Sequence, residues 1–307
     1  MAPVRRVLWF VLVFPAAFLS AQCSNDHRTN KDAGIQITDF TITGTQTMSA
    51  TDLARMTTDF IGSCFDEDSE ELEERVRASF QNRGYFKAEV KSLRVKPRDP
   101  LGIPKPVLLD GDIAEGPQYT LADVSFLKNH AFPAEELRRQ FPIKKGDLVE
   151  RDKIASGLES LRKLYGSRGY LDYLSIPETE FGSNATVNLN ITIKEGPQYH
   201  MGKLEMIGEK ELAARLRAEW KLPEGEAYDN AYLDEYLTRA RDLLPPNFSK
   251  ANIQAIQNCP ESRVEVRMIL ESAEDKSPSQ PKNIPCEEHA KNPLAQSPLS
   301  EQEQRLK

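Results

Sequence analysis

The pentapeptide Glu115-Gly116-Pro117-Gln118-Tyr119 recurs without change as Glu195-Gly196-Pro197-Gln198-Tyr199, 80 residues further along the chain. Arg83-Gly84-Tyr85-Phe86 returns as Arg168-Gly169-Tyr170-Leu171, 85 residues on. Two motifs in one order at nearly one spacing mark a duplicated unit, and repeats of this kind decide the architecture before any single segment is read. A period near 80 residues is too long for a solenoid unit and suits a small domain used several times.

The second copy shows the internal order. Leu121 to Leu127 places Val124 and Phe126 in a strand pattern, and Asn129 marks a turn. Pro133 to Phe141 reads as a short helix with proline in its first turn. Pro142 and Gly146 interrupt the chain. From about Glu150, the residues Ile154, Leu158, Leu161 and Tyr165 make one helical stripe, which Gly169 ends. Leu171 to Ile176 is a second strand, followed by a turn at Gly182-Ser183-Asn184. Val187, Leu189, Ile191 and Ile193 then alternate strictly with Asn188, Asn190 and Thr192, a strand with one buried and one wet face. The order is β-α-α-β-β.

The first copy agrees. Ile35 to Ile42 opens it, and Ser49 is placed to cap a helix carrying Leu53, Met56, Phe60 and Ile61. Leu72, Val76 and Phe80 define the second helix, with Glu70, Glu71, Glu73 and Glu74 favouring its start. In the next strand, Phe86, Ala88 and Val90 share a face that Leu93 and Val95 do not, so a bulge is expected between Val90 and Leu93. Val107 to Ala114 closes the copy. A third, divergent copy puts Pro245-Pro246-Asn247 in place of the Arg-Gly-Tyr step and ends in strands at Ala251 to Gln257 and Val264 to Leu270. Beyond Glu271 the chain turns polar, with five prolines, and reads as a disordered tail over 272–307.

The start of the chain sets the compartment. Arg5 and Arg6 precede a 13-residue apolar stretch, Val7 to Leu19, too short to span a bilayer. Residues 1–21 therefore read as a secretory signal, with 22–33 as a short N-terminal segment. An uncleaved anchor and lipidation at Cys23 are the competing readings, the latter opposed by Gln22 just before the cysteine. Export makes disulfides available to Cys23, Cys64, Cys259 and Cys286, which allow three pairings. The pairs nearest in sequence, Cys23–Cys64 and Cys259–Cys286, are preferred, each fastening a loose end of the chain to its neighbouring domain.

Other functions are excluded by what is missing. Lys and Arg number 40 against 47 Asp and Glu, a net charge of −7, which disfavours nucleic acid as a partner. The four histidines fall at no metal-ligand spacing, no glycine-rich phosphate loop opens a helix, and there is no G-x-S-x-G. No catalytic residue, metal, cofactor or small-molecule substrate is expected, and the chain does not read as an enzyme.

The pattern resembles the POTRA (polypeptide-transport-associated) domain, a periplasmic module of outer-membrane barrel assembly and protein secretion factors. The Glu-Gly-Pro joints, the Asn129 turn, Lys145-Gly146-Asp147 between helices, and Tyr165 followed by Arg168-Gly169-Tyr170 carry the resemblance, over residues 34–271. Members usually continue into a C-terminal barrel, and this sequence stops after its third repeat. The implied fold is α+β: tandem modules at 34–117, 118–198 and 199–271, each a three-stranded mixed sheet with two helices on one face. The implied location is the periplasm, held at the outer membrane through a partner. The implied partners are proteins: a barrel, an assembly or secretion component, or an unfolded client.

Open strand edges accept an added strand through backbone hydrogen bonds. In the family the module's second strand lies at the edge, which maps to Phe86–Val95, Leu171–Ile176 and Ala251–Gln257 here. Leu171, Tyr173, Leu174 and Ile176 make the most apolar of the three and are the expected partner-binding residues. Gly116, Pro117, Gly196 and Pro197 are expected to be structural, setting the angle between neighbouring modules. The alternative function is a spacer or envelope interaction protein, for instance in cell-wall or division processes, with no part in transport.

Overall fold

In the computed structural model, the described residues are 35–65, 69–99, 101 and 105–270. The expected signal, the N-terminal segment, the tail, Cys23 and Cys286 lie outside them. The described chain divides into two compact units, one from residues 35–80 and 87–116, the other from 81–86 and 117–270. Its strands form three small sheets.

The first unit begins with β1 (Ile35–Thr43) and α1 (Ala50–Thr58), whose first turn is held by Ser49 Oγ accepting from the Asp52 N–H at 3.1 Å. A two-residue strand, β2 (Cys64–Phe65), precedes α2 (Ser69–Gln81), β3 (Glu89–Pro97) and β4 (Lys105–Ala114). The sheet order is β2-β1-β4-β3, with β1 and β4 parallel and β3 antiparallel to β4. The sheet thus has four strands where three were expected, because residues 64–65 pair back onto Ile35 and Gln36. The expected bulge is present: the β3–β4 register slips between Val90 and Ser92. Ile37, Met56, Val76, Leu109 and Ile113 are fully buried, and Phe40 meets Phe60 edge-on at 5.3 Å. Burial of such side chains contributes roughly 1.5–3 kcal/mol each and holds helices and sheet together.

The second unit holds two further modules. The first consists of β5 (Thr120–Leu127), α3 (Ala134–Arg138), α4 (Arg151–Gly166), β6 (Leu174–Gly182) and β7 (Thr186–Lys194). Its sheet order is β5-β7-β6, with β7 parallel to β5 and antiparallel to β6. The alternating strand at 187–193 is the central one: Val187, Leu189, Ile191 and Ile193 are all buried against Leu137, Ile154, Leu161 and Tyr165 of the helices. Phe86 belongs to this core, although it precedes the module in sequence. Gly157 on α4 leaves room for the Phe141 ring, which lies 2.2 Å from where a Cβ would stand.

The last module has β8 (His200–Ile207), α5 (Lys210–Glu219), α6 (Tyr232–Arg239), two 3₁₀ turns at Arg241–Leu243 and Lys250–Asn252, β9 (Ile253–Asn258) and β10 (Arg263–Ile269). The order β8-β10-β9 repeats that of the preceding sheet. Tyr236 is fully buried and donates to the Leu216 carbonyl at 3.0 Å, joining the two helices. The second and third sheets have the three-stranded mixed architecture expected from the sequence, and the first adds β2 to it.

Candidate functional site

The two repeated motifs meet each other. Tyr119 N–H donates to the Gly84 carbonyl at 2.7 Å, and the Gln118 side-chain amide donates to the Arg83 carbonyl at 2.8 Å. In the next copy, Tyr199 N–H donates to Gly169 O at 2.8 Å and Gln198 Nε2 to Arg168 O at 2.9 Å. Gln-Tyr is therefore a plug and Arg-Gly a socket, used twice with one geometry. Gly169, at φ +84, is needed because a Cβ there would stand 2.3 Å from the Tyr199 carbonyl oxygen.

The glutamate of each pentapeptide acts inside its own module. Glu115, only 4% exposed, ends β4 and takes backbone N–H groups from Gln46, Thr47 and Met48 as well as the Thr47 hydroxyl. Burial opposes its ionisation, but these four donors prevail and hold the carboxyl below its usual range. Glu195 follows β7 and accepts from His130 N at 2.7 Å, Ala131 N at 2.8 Å and the Tyr165 hydroxyl at 3.0 Å. Between glutamate and glutamine, Gly116 and Gly196 turn the exposed chain at φ +68 and +71. Glu, Gln and Tyr went unread in the sequence, although bending alone does not require their identity in both copies.

The last module is fastened to its predecessor by a further contact. Asp172 accepts from the Tyr199 hydroxyl at 2.8 Å and from Gln257 Nε2 at 3.3 Å. Burial, and then this carboxylate, raise the Tyr199 phenol far above its ordinary pKa. Asn230 N–H adds a bond to the Gly166 carbonyl at 3.1 Å.

Each sheet has two outer strands, and the fold treats them differently. The start of the first strand is covered by the loop between the helices, in the same way three times. Gly62, Gly146 and Gly225 donate to Ile37 O, Leu121 O and Met201 O, each at 2.8 Å. The next residues, Ser63, Asp147 and Glu226, accept from the N–H groups of Ile37, Leu121 and Met201. In contrast, β3, β6 and β9 each pair with one strand alone among the described residues, leaving one backbone margin open.

The three open margins differ in chemistry. β3 carries Lys91, Arg94, Lys96 and Pro97. β6 carries Pro177, Glu178 and Glu180. Charges and prolines of this kind blunt an edge. Pro177 sits opposite Ile191 in an unbroken register, so its nitrogen faces away from β7. Ser175, Thr179 and Phe181 share that outward orientation, and the row of outward donors has a gap at Pro177. β9, reading Ile-Gln-Ala-Ile-Gln-Asn, has neither charge nor proline.

Of the four expected edge residues, Leu174 and Ile176 lie in β6. Ile176 shares the outer sheet face with its cross-strand neighbour Thr192 and with Leu127, which is 52% exposed. Leu171 and Tyr173 precede the strand and are spent on packing. Leu171 lies against the core of the last module, and Tyr173 stacks on Tyr165 at 4.3 Å. Burial pushes the Tyr173 phenol up to about 12. The strand starts three residues later than its apolar run suggests, because the turn after Gly169 uses that run as filling. Cys64 and Cys259 are both disulfide-bonded, and Cys259 Sγ lies 3.4 Å from the Tyr199 hydroxyl.

Residues 119–196 match the family model described as POTRA, surface antigen variable number repeat. A curated relative, the putative outer membrane protein assembly factor of Treponema pallidum (strain Nichols), is 26% identical over 137 residues, covering 44% of this chain and 16% of that protein. The matched stretch is thus about a sixth of the relative. The crystal structure of POTRA3-5 of Haemophilus influenzae BamA superposes with a TM-score of 0.56 at 19% identity, covering 78% of this chain and 96% of that one. At that identity the likeness concerns the fold.

Proposed function

We propose that the chain, whose residues 119–196 match the POTRA family model, is an exported, periplasmic protein-binding scaffold that serves outer-membrane protein assembly or secretion. Partners or unfolded clients dock by adding a strand to the open margins of the modules. The observation that carries this reading is the recurrence in each sheet of one margin, on the strand that follows the module's second helix, that pairs with no further strand among the described residues. The curated relative's name, an outer membrane protein assembly factor, supports the process. In β6 the docking residues are Leu174 and Ile176, with Leu127 extending the apolar row across the sheet.

The test is a titration of the isotope-labelled chain with extended peptides of alternating apolar and polar residues, the pattern of a barrel strand. Amide shifts confined to 174–182 or to the equivalent strands are expected. Thr179→Pro removes an outward donor and is expected to abolish the β6 response while the β7 amides stay protected. A crosslinker placed at Ile176, rather than at Tyr173, which packs on Tyr165, that captures no peptide would sink the reading.

A spacer role is favoured by a different observation, the Asp172–Tyr199–Gln257 contact that fastens the last module to the one before it. Recovery of only cell-wall or division proteins from envelope extracts would select that alternative.

A further inference from the structure

The last two modules differ in how the loop before Gly146 or Gly225 packs beside the first strand. Phe141 and Trp220 hold equivalent places. Each N–H donates at 3.2 Å to the carbonyl of the arginine three residues back, Arg138 or Arg217. Phe141 is 5% exposed, its ring set against the α4 backbone at Gly157. The matching place in α6, as far past Gly225 as Gly157 is past Gly146, holds Tyr236. Its buried ring fills the space that glycine leaves, and a close-packed interior does not admit both. Trp220 therefore meets Tyr236 edge-on at 4.8 Å and stays half-buried.

The arginine changes with the aromatic residue. The Arg138 guanidinium donates to the Ile143 carbonyl at 2.6 Å. The equivalent carbonyl, that of Leu222, is taken at 2.6 Å by the Trp220 indole N–H. The Arg217 side chain is exposed at the end of α5 and has no hydrogen bond or ion pair among the described residues. The same holds for Lys203 of β8.

Beside these groups lies a cavity of about 820 Å³, walled by Leu204 and Met206 of β8, by Trp220 and Leu222, and by Lys203 and Arg217. That volume falls in the range of binding clefts, roughly 300–1,000 Å³. Its rim is backbone. His200 N–H and Ile207 O face β10, where they bond to Ser262 O and Leu270 N–H, so alternation turns the N–H and C=O of Leu204 and Met206 outward. The loop that closes this strand reaches Met201 through Gly225 and Glu226, and beyond it β8 pairs with β10 alone among the described residues. The carboxylates of the wall are accounted for. Glu205 and Glu224 are engaged by Arg267 at 2.6 Å and Arg263 at 3.4 Å, and Glu265 stands on the sheet face away from the helices. What α5 and β8 leave unmatched is an apolar wall, two positive charges and a short row of backbone donors and acceptors.

We propose that this cleft takes an extended polypeptide segment in which an acidic side chain neighbours an apolar one. The segment's backbone pairs with Leu204 and Met206, its apolar side chain lies on Trp220, and its carboxylate meets Arg217 and Lys203. Backbone pairing makes little demand on sequence, and the charge-assisted bond to arginine supplies the selectivity. The site is separate from the margins of β3, β6 and β9 and does not rest on docking there.

The test uses the isotope-labelled full chain with a short capped peptide of alternating Thr and Val that carries one central Asp, beside its Asn counterpart. Amide shifts at Leu204 and Met206, with movement of the Trp220 indole signal, are expected for the Asp peptide. Affinity should fall about tenfold for the Asn peptide, and by a similar factor for the Asp peptide on Arg217→Gln. Arg217 is exposed, and unchanged Val264–Met268 amides report that the variant keeps its fold. Equal affinity for the two peptides, or no shift at Leu204 and Met206 at millimolar peptide, overturns the proposal. So does a concentration-dependent shift of those amides in the chain alone, which makes a second copy the occupant. Shifts confined to 174–182 overturn this site and leave edge docking at β6 standing, whereas shifts at Leu204 and Met206 alone do the reverse.

Discussion

Gly169→Ala places a Cβ against the Tyr199 carbonyl oxygen at a backbone angle that L residues avoid. A loss of at least about 2 kcal/mol is expected in urea unfolding of the second unit. Gln198→Ala, which removes one half-exposed hydrogen bond from the same socket, should cost about 0.5–1 kcal/mol. Glu115 supplies a pH signature. Its folded pKa lies below the ordinary value of 4.5, so its contribution is complete above 4.5 and disappears as pH falls through the lowered value. Thermal unfolding of the first unit followed from pH 6 down to pH 2 should show this acid loss. Glu115→Gln should flatten the profile and lower stability at neutral pH. Persistence of the full acid loss in that variant would move the effect to another carboxylate.

The strands and helices were legible where one face is buried and one is wet. The alternation from Val187 to Ile193 placed the central strand, Ser49 marked the start of α1, and the slipped phase after Val90 foretold a bulge that is present. Where residues serve a turn or a neighbouring module, the pattern misleads. Leu171 and Tyr173 are apolar because they pack, so the proposed docking residues contract to Leu174 and Ile176. The strand β2 had no signal, since two residues cannot show a period. Of the glycines that close the first strands, Gly146 is legible as a chain break but not as a strand closure, and Gly62 and Gly225 give no signal, because one backbone requirement leaves the side chains around it free. Phe86 shows the same limit on domain boundaries, as it fills the core of the module after it. A fragment of residues 81–198 should therefore exceed one of residues 118–198 by about 2–4 kcal/mol in denaturant unfolding, having regained a buried phenylalanine and the Tyr119–Gly84 bond.

The second unit contains two cores joined by shared contacts. Asp172 and Tyr199 tie the modules across 27 residues of sequence, and Leu171 lends its side chain to the later core. One cooperative unfolding transition is expected for residues 117–270 in calorimetry. Asp172→Ala should separate it into two, since the buried Tyr199 hydroxyl loses its carboxylate acceptor. A single unshifted transition in that variant would leave the joint without an energetic role. The twice-used plug and socket has a further result. Because each copy of residues 119–198 carries both halves of the coupling, an in-frame duplication inserts a new segment whose two ends already fit. Such a chain can grow or shrink by whole copies during evolution, with no fresh junction to be invented at each step.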